Sequence, residues 1–109
     1  MFVQRAMEHL YEDDALELAE IFHLLGDASR LRIVYACLAG PVSAGVLASG
    51  LGLSPSLVSH HLRLLKAARI LASERRGRQI FYSALDDHIR DMLRDMVIHI
   101  KEDHGEDTV

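Results

Sequence analysis

Hydrophobic residues recur at intervals of three and four along most of this chain, the spacing of one face of an α-helix. The pattern predicts helices over about 14–25, 28–39, 44–50, 55–68 and 87–103. A short helix over 2–11 fits the same spacing. The helix over 14–25 has more hydrophobic residues than one narrow face can hold, which indicates burial on two sides, against its own core and against a partner chain.

Glycine, proline and short polar residues mark where the first helices begin and end. Asp13 or Asp14 begins the helix over 14–25, and Gly26 ends it. Asp27 caps the next helix, which stops before the Gly-Pro pair at 40–41. The helix over 87–103 has one apolar stripe that suits pairing with another helix: Ile89, Met92, Leu93, Met96, Val97 and Ile100.

The middle of the chain predicts a helix-turn-helix. Ser43 caps the helix over 44–50 and leaves Val46 and Leu47 pointing inward. Ser54 caps the next helix with Pro55 at its first position, where the missing N–H costs nothing. Two short helices joined by a tight glycine-containing turn are typical of this motif.

A β-hairpin should follow the helix-turn-helix. Two strand-like segments, 70–74 and 79–83, flank a turn with the sequence Arg-Arg-Gly-Arg. The predicted fold class is therefore mainly α with a small β-hairpin, a winged helix-turn-helix. Residues 1–12 form an N-terminal segment, 13–103 the DNA-binding and dimerisation domain, and 104–109 a flexible tail.

The composition fits one small domain. Half of the 109 residues are hydrophobic and few are aromatic, so the core should be aliphatic. No apolar run reaches the roughly 18 residues of a membrane span, and the N-terminus lacks the order of a signal peptide, so a cytoplasmic location is expected. Cys37 is the only cysteine, which excludes a disulfide or a Cys-rich metal site within one chain. It lies in an apolar helical run and should be a buried packing residue.

The charge of the chain is unevenly distributed. The formal net charge is −4, but residues 56–80 carry six basic residues against the single acidic Glu74. One basic block in an otherwise acidic protein is the pattern expected of a surface that binds nucleic acid.

The helix over 55–68 has a face that could read DNA. Small hydroxyls, an imidazole and a guanidinium share this face: Ser56, Ser59, His60 and Arg63. The opposite face is aliphatic: Val58, Leu62 and Leu65. The polar face could enter the major groove, while Arg75, Arg76 and Arg78 would lie along the backbone or minor groove. A simple exposed helix is the alternative, and His61, at the boundary of the face, should be structural.

Four side chains near the C-terminus have the spacing D-x-H-x10-H-x2-E: Asp86, His88, His99 and Glu102. Imidazoles and carboxylates are common ligands of divalent metals. A helix rises about 1.5 Å per residue, so His88 and His99 lie roughly 16 Å apart along its axis. Since one ion needs its ligands within about 2.2 Å, one chain cannot bring both halves to the same ion.

An antiparallel pair of these helices would solve the problem. Eleven residues are close to three turns, so His88 and His99 share a stripe, with Glu102 one turn further. About a two-fold axis, Asp86 and His88 of one chain would meet His99 and Glu102 of the other, giving two equivalent sites. Asp86 and His88 can converge if Asp86 is the N-cap. The alternative is a solvated polar rim.

The order of helix-turn-helix, S-x-x-S-H-H-L-x-x-L at 56–65, basic wing and D-x-H-x10-H-x2-E resembles the ArsR/SmtB family of bacterial metal-sensing repressors. The stretch 25–33 also resembles the family's entry into its second helix, and the likeness covers about 14–103. It implies a homodimer that binds operator DNA without metal and releases it when metal binds. It places the zinc ligands at Asp86 and His88 of one subunit with His99 and Glu102 of the other.

The chain departs from the family's arsenic, cadmium and lead sensors, which have cysteines at the start of the helix-turn-helix. Here residues 42–46 are Val-Ser-Ala-Gly-Val, which disfavours thiophilic ions. Two imidazoles and two carboxylates suit Zn(II) as effector, and Co(II) would substitute. Nickel or cobalt is the alternative if His9, the N-terminus, Asp103 or His104 extends the site toward six ligands.

Two readings outside metal sensing remain. A regulator of the same fold could respond to no metal, with the four C-terminal ligands vestigial. A zinc enzyme is disfavoured, because four protein ligands leave no open position for water and no nucleophile pair stands out. The sequence therefore predicts a repressor, not an enzyme.

Overall fold

The computed structural model describes the backbone of residues 7–105 and the side chains of residues 7–102. The elements, in chain order, are α1 (Glu12–Leu25), α2 (Ala28–Ala36), β1 (Val42–Ser43), α3 (Ala44–Leu51), α4 (Pro55–Ala67), β2 (Leu71–Arg76), β3 (Gln79–Ala84) and α5 (Asp87–Gly105). The winged helix-turn-helix prediction is confirmed. None of the helices in this described part is long and apolar enough to cross a membrane.

The predicted caps hold three of the helices in place. The Asp27 carboxylate accepts the backbone N–H of Arg30 at 2.9 Å at the start of α2. Ser43 accepts the N–H of Val46 at 3.3 Å, and Ser54 accepts that of Leu57 at 3.1 Å. Each bond satisfies an amide that has no partner within its own helix.

The sheet has three antiparallel strands in the order β1-β3-β2. β2 and β3 form the predicted hairpin, from the pair Leu71 and Ala84 to the pair Arg76 and Gln79. The turn between them has two residues, and Gly77 takes a φ of 64°, which glycine adopts without strain. β1 pairs Val42 with Tyr82, which attaches the wing directly to the start of α3.

The core is formed mainly by the middle of the chain. Its most deeply buried side chains come from α2, α3, α4 and the entry into β2: Ile33, Val34, Cys37, Leu47, Val58, Leu62, Leu65, Ile70 and Leu71. α1 adds the buried Leu24 and Leu25 and α5 the buried Leu93, while Ile21 of α1 and Ile89 and Met92 of α5 pack against the core partly buried. The prediction that Cys37 is a buried packing residue is confirmed, and burial raises the pKa of its thiol to about 11.

Several sequence-based expectations were wrong. Val46, expected to point inward, is 60% exposed. Residues 7–11 form no helix, and 2–6, the rest of that predicted helix, lie outside the described residues. α1 begins at Glu12, and α2 ends at Ala36 rather than at 39 because the chain turns there into the loop before β1. α5 continues to Gly105, so its last two residues fall within the segment expected to be a flexible tail.

Candidate nucleic-acid interface and metal half-sites

The polar side of α4, the candidate DNA-reading face, is exposed as predicted. The fully buried Val58, Leu62 and Leu65 anchor the helix to the core on one side. The other side of the helix is exposed and carries Ser56, Ser59, His60 and Arg63. Because the anchoring residues are aliphatic and close-packed, the exposed face is presented by a rigid element.

The turn that joins α3 to α4 is tightly fixed. Gly52 ends α3 with a φ of 69°, in the left-handed region that favours glycine. The N–H of Leu53 then donates to the carbonyl of Ala48 at 2.9 Å. The turn therefore holds the start of α4 in a defined direction relative to α3.

The three arginines of the wing tip differ in how they are engaged. Arg76 forms an ion pair with Glu74 at 3.1 Å, and its guanidinium lies 5.0 Å from the ring centre of Phe81. Arg75 donates to the carbonyl of Gly77 at 3.3 Å. Within the described part of the chain, the Arg78 guanidinium makes neither a hydrogen bond nor an ion pair. Arg78 is thus the wing cation with the fewest contacts to give up on meeting an anion.

His61 is structural, as expected from its place at the edge of the face. It is 5% exposed, and its Nε2 lies 3.9 Å from Oδ2 of Asp27, so it connects α4 to the cap of α2. Its Nδ1 is buried without a hydrogen-bond partner in the described residues. Burial lowers the pKa of His61, and the Asp27 carboxylate partly opposes this effect.

The proposed metal ligands lie at the two ends of α5. Asp86 accepts the N–H of Ile89 at 3.0 Å, which confirms its predicted role as a helix cap. Asp86 and His88 are exposed at the start of the helix, while His99 and Glu102 are exposed near its far end. The uninterrupted helix separates the two histidines by about 16 Å along its axis.

One chain does not assemble a complete metal site from its described residues. Nowhere in residues 7–102 do three or more His, Cys, Asp or Glu side chains come together as a set that could hold an ion. The structure brings Asp86 and His88 to one end of α5 and does not bring them to His99 and Glu102. His9 is exposed in the segment before α1, and the side chains of Asp103 and His104 lie outside the described residues.

Arg90 fastens the first turn of α5 to the rest of the fold. Its Nε donates to the carbonyl of Leu38 at 2.9 Å, and a second guanidinium nitrogen pairs with Asp87. Sequence reasoning missed this residue, because the bond joins positions 52 residues apart. Through Arg90, the end of the helix that carries Asp86 and His88 is linked to the loop after α2.

Hydrophobic side chains of α1 and α5 lie on the surface of the single chain. Leu16, Leu18 and Phe22 of α1 are exposed, and so are Met96, Ile98 and Ile100 of α5. An apolar groove of about 510 Å³ lies between α2 and α5, and Leu31, Tyr35 and Met96 are among the residues that line it. The groove on the α5 side is an exposed apolar patch, a feature that marks interaction sites.

Comparison with known proteins gives a consistent picture. Residues 27–73 match the family described as bacterial regulatory protein, arsR family. A transcriptional repressor SmtB homolog from Synechocystis is 37% identical over 90 residues, which are 83% of this chain and 68% of that protein. A cadmium resistance transcriptional regulatory protein CadC homolog from Staphylococcus aureus is 31% identical over 92% of this chain and 84% of its own length.

A solved structure extends the likeness to the whole fold. The AntR antimony-specific transcriptional repressor superposes with a TM-score of 0.79 at 29% identity. The match covers 91% of this chain and 90% of that one. The helix-turn-helix, the wing and both outer helices of the present chain therefore have counterparts of the same arrangement.

Proposed function

This chain belongs to the ArsR/SmtB family of bacterial transcriptional regulators, and from that premise we propose that it is a metal-responsive repressor. A homodimer binds operator DNA in the metal-free state. Zn(II) then binds at two intersubunit sites on the α5 helices and releases the DNA. Members of the family are regulators and not enzymes, and a protein that acts on the bacterial chromosome works in the cytoplasm.

The placement of the four ligands on α5 is the observation that carries this proposal. If these four residues only formed a solvated rim of the helix, nothing would require a carboxylate and an imidazole together at each end, three turns apart. Here Asp86 and His88 stand at one end and His99 and Glu102 at the other, all exposed and with no complete site in the described part of one chain. Two copies arranged antiparallel would complete two tetrahedral sites with the donor set that Zn(II) accepts.

The exposed hydrophobic surface supports the homodimer. The exposed apolar residues lie on α1 and on α5, the helix whose two ends carry the proposed metal ligands. A second copy of the chain presents the same apolar residues, so a two-fold interface would be self-complementary. Burying this apolar surface would stabilise the dimer, because it removes apolar area from water.

Metal would act through the distance between the two recognition helices. In a dimer, two α4 helices must reach successive major grooves about 34 Å apart. Zinc would hold the two α5 helices together, and the hydrogen bond from Arg90 to the carbonyl of Leu38 would carry their position to the rest of the fold. Since the coupling is reciprocal, bound DNA must weaken zinc binding by the same factor that zinc weakens DNA binding.

A gel-shift assay with the DNA upstream of the protein's own gene tests this function. Zinc should weaken the complex by at least about fivefold, the lower end of allosteric coupling. The variant His99→Ala should bind this DNA as the wild type does and lose the response to zinc. His23→Ala, which removes an exposed histidine from α1, is the matched control and should respond normally.

Three outcomes would count against the proposal. Release of DNA by zinc in His99→Ala would remove the assignment of the ligand. Unchanged DNA affinity of the zinc-loaded wild type would leave a regulator of this fold without a metal response. Weak, octahedral absorption bands of the Co(II) form would exclude a four-ligand site and favour a nickel or cobalt sensor.

A further inference from the structure

A cavity of about 400 Å³, lined by both polar and apolar groups, lies where the wing meets the helix-turn-helix. Three separate parts of the chain line it: the start of α3 with Gly45, α4 with Ser59, and the wing with Arg78, Gln79 and Tyr82. The β1–β3 pairing holds these parts together, because Val42 lies opposite Tyr82 just before α3 begins. The cavity is therefore a fixed feature of the fold and not a gap between independent segments.

Ser43, which also lines this cavity, is engaged as the cap of α3, but three other polar side chains that line it are donors without partners in the described residues. The side chains of Ser59, Arg78 and Gln79 form no hydrogen bond or ion pair within the described part of the chain. No Asp or Glu lines the cavity. A guanidinium, an amide and a hydroxyl together suit an anion with several acceptor oxygens, and the guanidinium would form the strongest of the contacts.

We propose that this cavity holds one phosphate group of the DNA backbone. The proposal rests on the function proposed above and refines it. Arg78 would neutralise the phosphate, Gln79 and Ser59 would donate to its oxygens, and Gly45 would leave the space that the phosphate fills. Arg75 and Arg76 already have contacts inside the wing and would contribute mainly long-range attraction.

The exposure of the donors favours a backbone phosphate over a free anion. Ser59, Arg78 and Gln79 are all exposed, on the face that the wing and α4 share. A phosphate carried by a bound duplex meets such donors without having to lose all of its water. Ser59 then fixes the position of the protein on the duplex, and reading of the bases is left to Ser56, His60 and Arg63.

Neutral backbone positions provide the decisive test. Each phosphate of the upstream DNA is replaced in turn by an uncharged methylphosphonate, and binding is measured for the wild type, Arg78→Gln and Arg75→Gln. At one position per half-site, the wild type and Arg75→Gln should lose about tenfold in affinity. Arg78→Gln should lose nothing further there, because the contact is already gone. Its salt dependence should also be shallower by about one phosphate per half-site.

Two glycines of α3 give a second test that does not depend on Arg78. A side chain atom added at Gly45 or at Gly50 would meet no atom within 4 Å, so the fold tolerates both changes. Gly45→Asp places a carboxylate in the cavity, while Gly50→Asp places the same charge on the same helix outside it. Gly45→Asp should weaken DNA binding by at least tenfold more than Gly50→Asp, since like charges would be juxtaposed. Equal effects of the two variants would overturn the site.

Other outcomes separate this site from the function as a whole. If wild type and Arg78→Gln lose affinity equally at every methylphosphonate, the cavity holds no backbone phosphate, although the repressor function stands. Inorganic phosphate at constant ionic strength gives a further check. If it saturates a shift of the Gly45 amide resonance, and no methylphosphonate position distinguishes Arg78→Gln from the wild type, the cavity binds a free anion and no backbone phosphate. If the wild-type chain does not bind DNA at all, the repressor function and the phosphate site both fail.

Discussion

The helices α4 and α5 are both amphipathic, but they differ in how much of their apolar face is covered by the rest of the chain. α4 buries Val58, Leu62 and Leu65 completely within its own chain. α5 buries only Leu93 to a comparable degree and leaves Met96 and Ile100 about half exposed. The part of the chain that carries the candidate DNA face, here called the DNA-reading half, is thus packed within one copy of the protein, whereas α5 leaves apolar surface for a second copy to cover in the proposed dimer.

This difference separates stability from regulation. A rigid, fully packed recognition helix cannot change its own shape without a large loss of packing energy. An interface between two copies can shift as a unit, because its contacts are made between separate bodies. The effector would therefore change the distance between the DNA-reading halves of the two copies. The structure of each copy would stay the same.

The largest effect should come from the packed half. Leu65→Ala should lower the free energy of unfolding by about 3 kcal/mol, since it opens a cavity at a fully buried position of α4. Leu57→Ala, on the same helix but 39% exposed, is the matched control and should cost less than about 1 kcal/mol. Urea unfolding followed by circular dichroism measures both. Equal losses would mean that α4 is not anchored as described.

An exposed apolar residue of the outer helices should affect association instead. Phe22 is 52% exposed on α1, and Phe22→Ser should weaken the dimer by about 2 kcal/mol when both copies are counted, roughly thirtyfold in the dissociation constant. Val46→Ser alters a residue that is 60% exposed in the DNA-reading half and should leave association unchanged. Sedimentation equilibrium distinguishes the two. A dimer that weakens equally in both variants would contradict the division drawn above.

His61 should make the packed half sensitive to acid. Burial lowers its pKa in the folded protein below the ordinary value of 6.5. The unfolded chain therefore binds a proton more readily, so stability falls as the pH drops below about 6.5 and levels off only below the folded pKa. His61→Gln should reduce this slope, and His60→Gln, which alters the exposed neighbour, should preserve it. The measurement is the urea midpoint at several pH values, and an unchanged slope in His61→Gln would refute the assignment.

The smallest effect should come from the hydrogen bond that joins α5 to the DNA-reading half. Arg90→Ala removes the bond to Leu38 and should weaken zinc binding by about three- to tenfold, the equivalent of one hydrogen bond. DNA affinity without metal should not change. Arg94→Ala, on the exposed side of α5, is the matched control. A competition assay with a zinc chelator measures the difference, and identical zinc affinities for both variants would leave Arg90 a purely local contact.

Features determined by neighbouring residues could be predicted from the sequence. The caps at Asp27, Ser43, Ser54 and Asp86 follow from local chemistry, and all four form the expected hydrogen bonds. The exposed face of α4 follows from a period of 3.6 residues combined with a strongly aliphatic opposite side.

Features that depend on contacts between distant parts of the chain could not. β1 has two residues, too few to show any alternation, and exists only because β3 pairs with it. The cavity at the wing combines positions near 45, 59 and 79, and no local pattern brings these together. The ion pair between Glu74 and Arg76 did have a signal, because residues two apart on a strand lie on the same side.

The inert thiol at the centre of the core has a practical use. Cys37 is fully buried and its pKa is far above neutral, so it should not react with maleimide or methanethiosulfonate reagents in the folded protein. A single cysteine introduced at an exposed site such as Arg63 could then be spin-labelled without first replacing Cys37. Pulsed electron paramagnetic resonance on such a sample would measure the distance between the α4 helices of the two copies, with and without zinc.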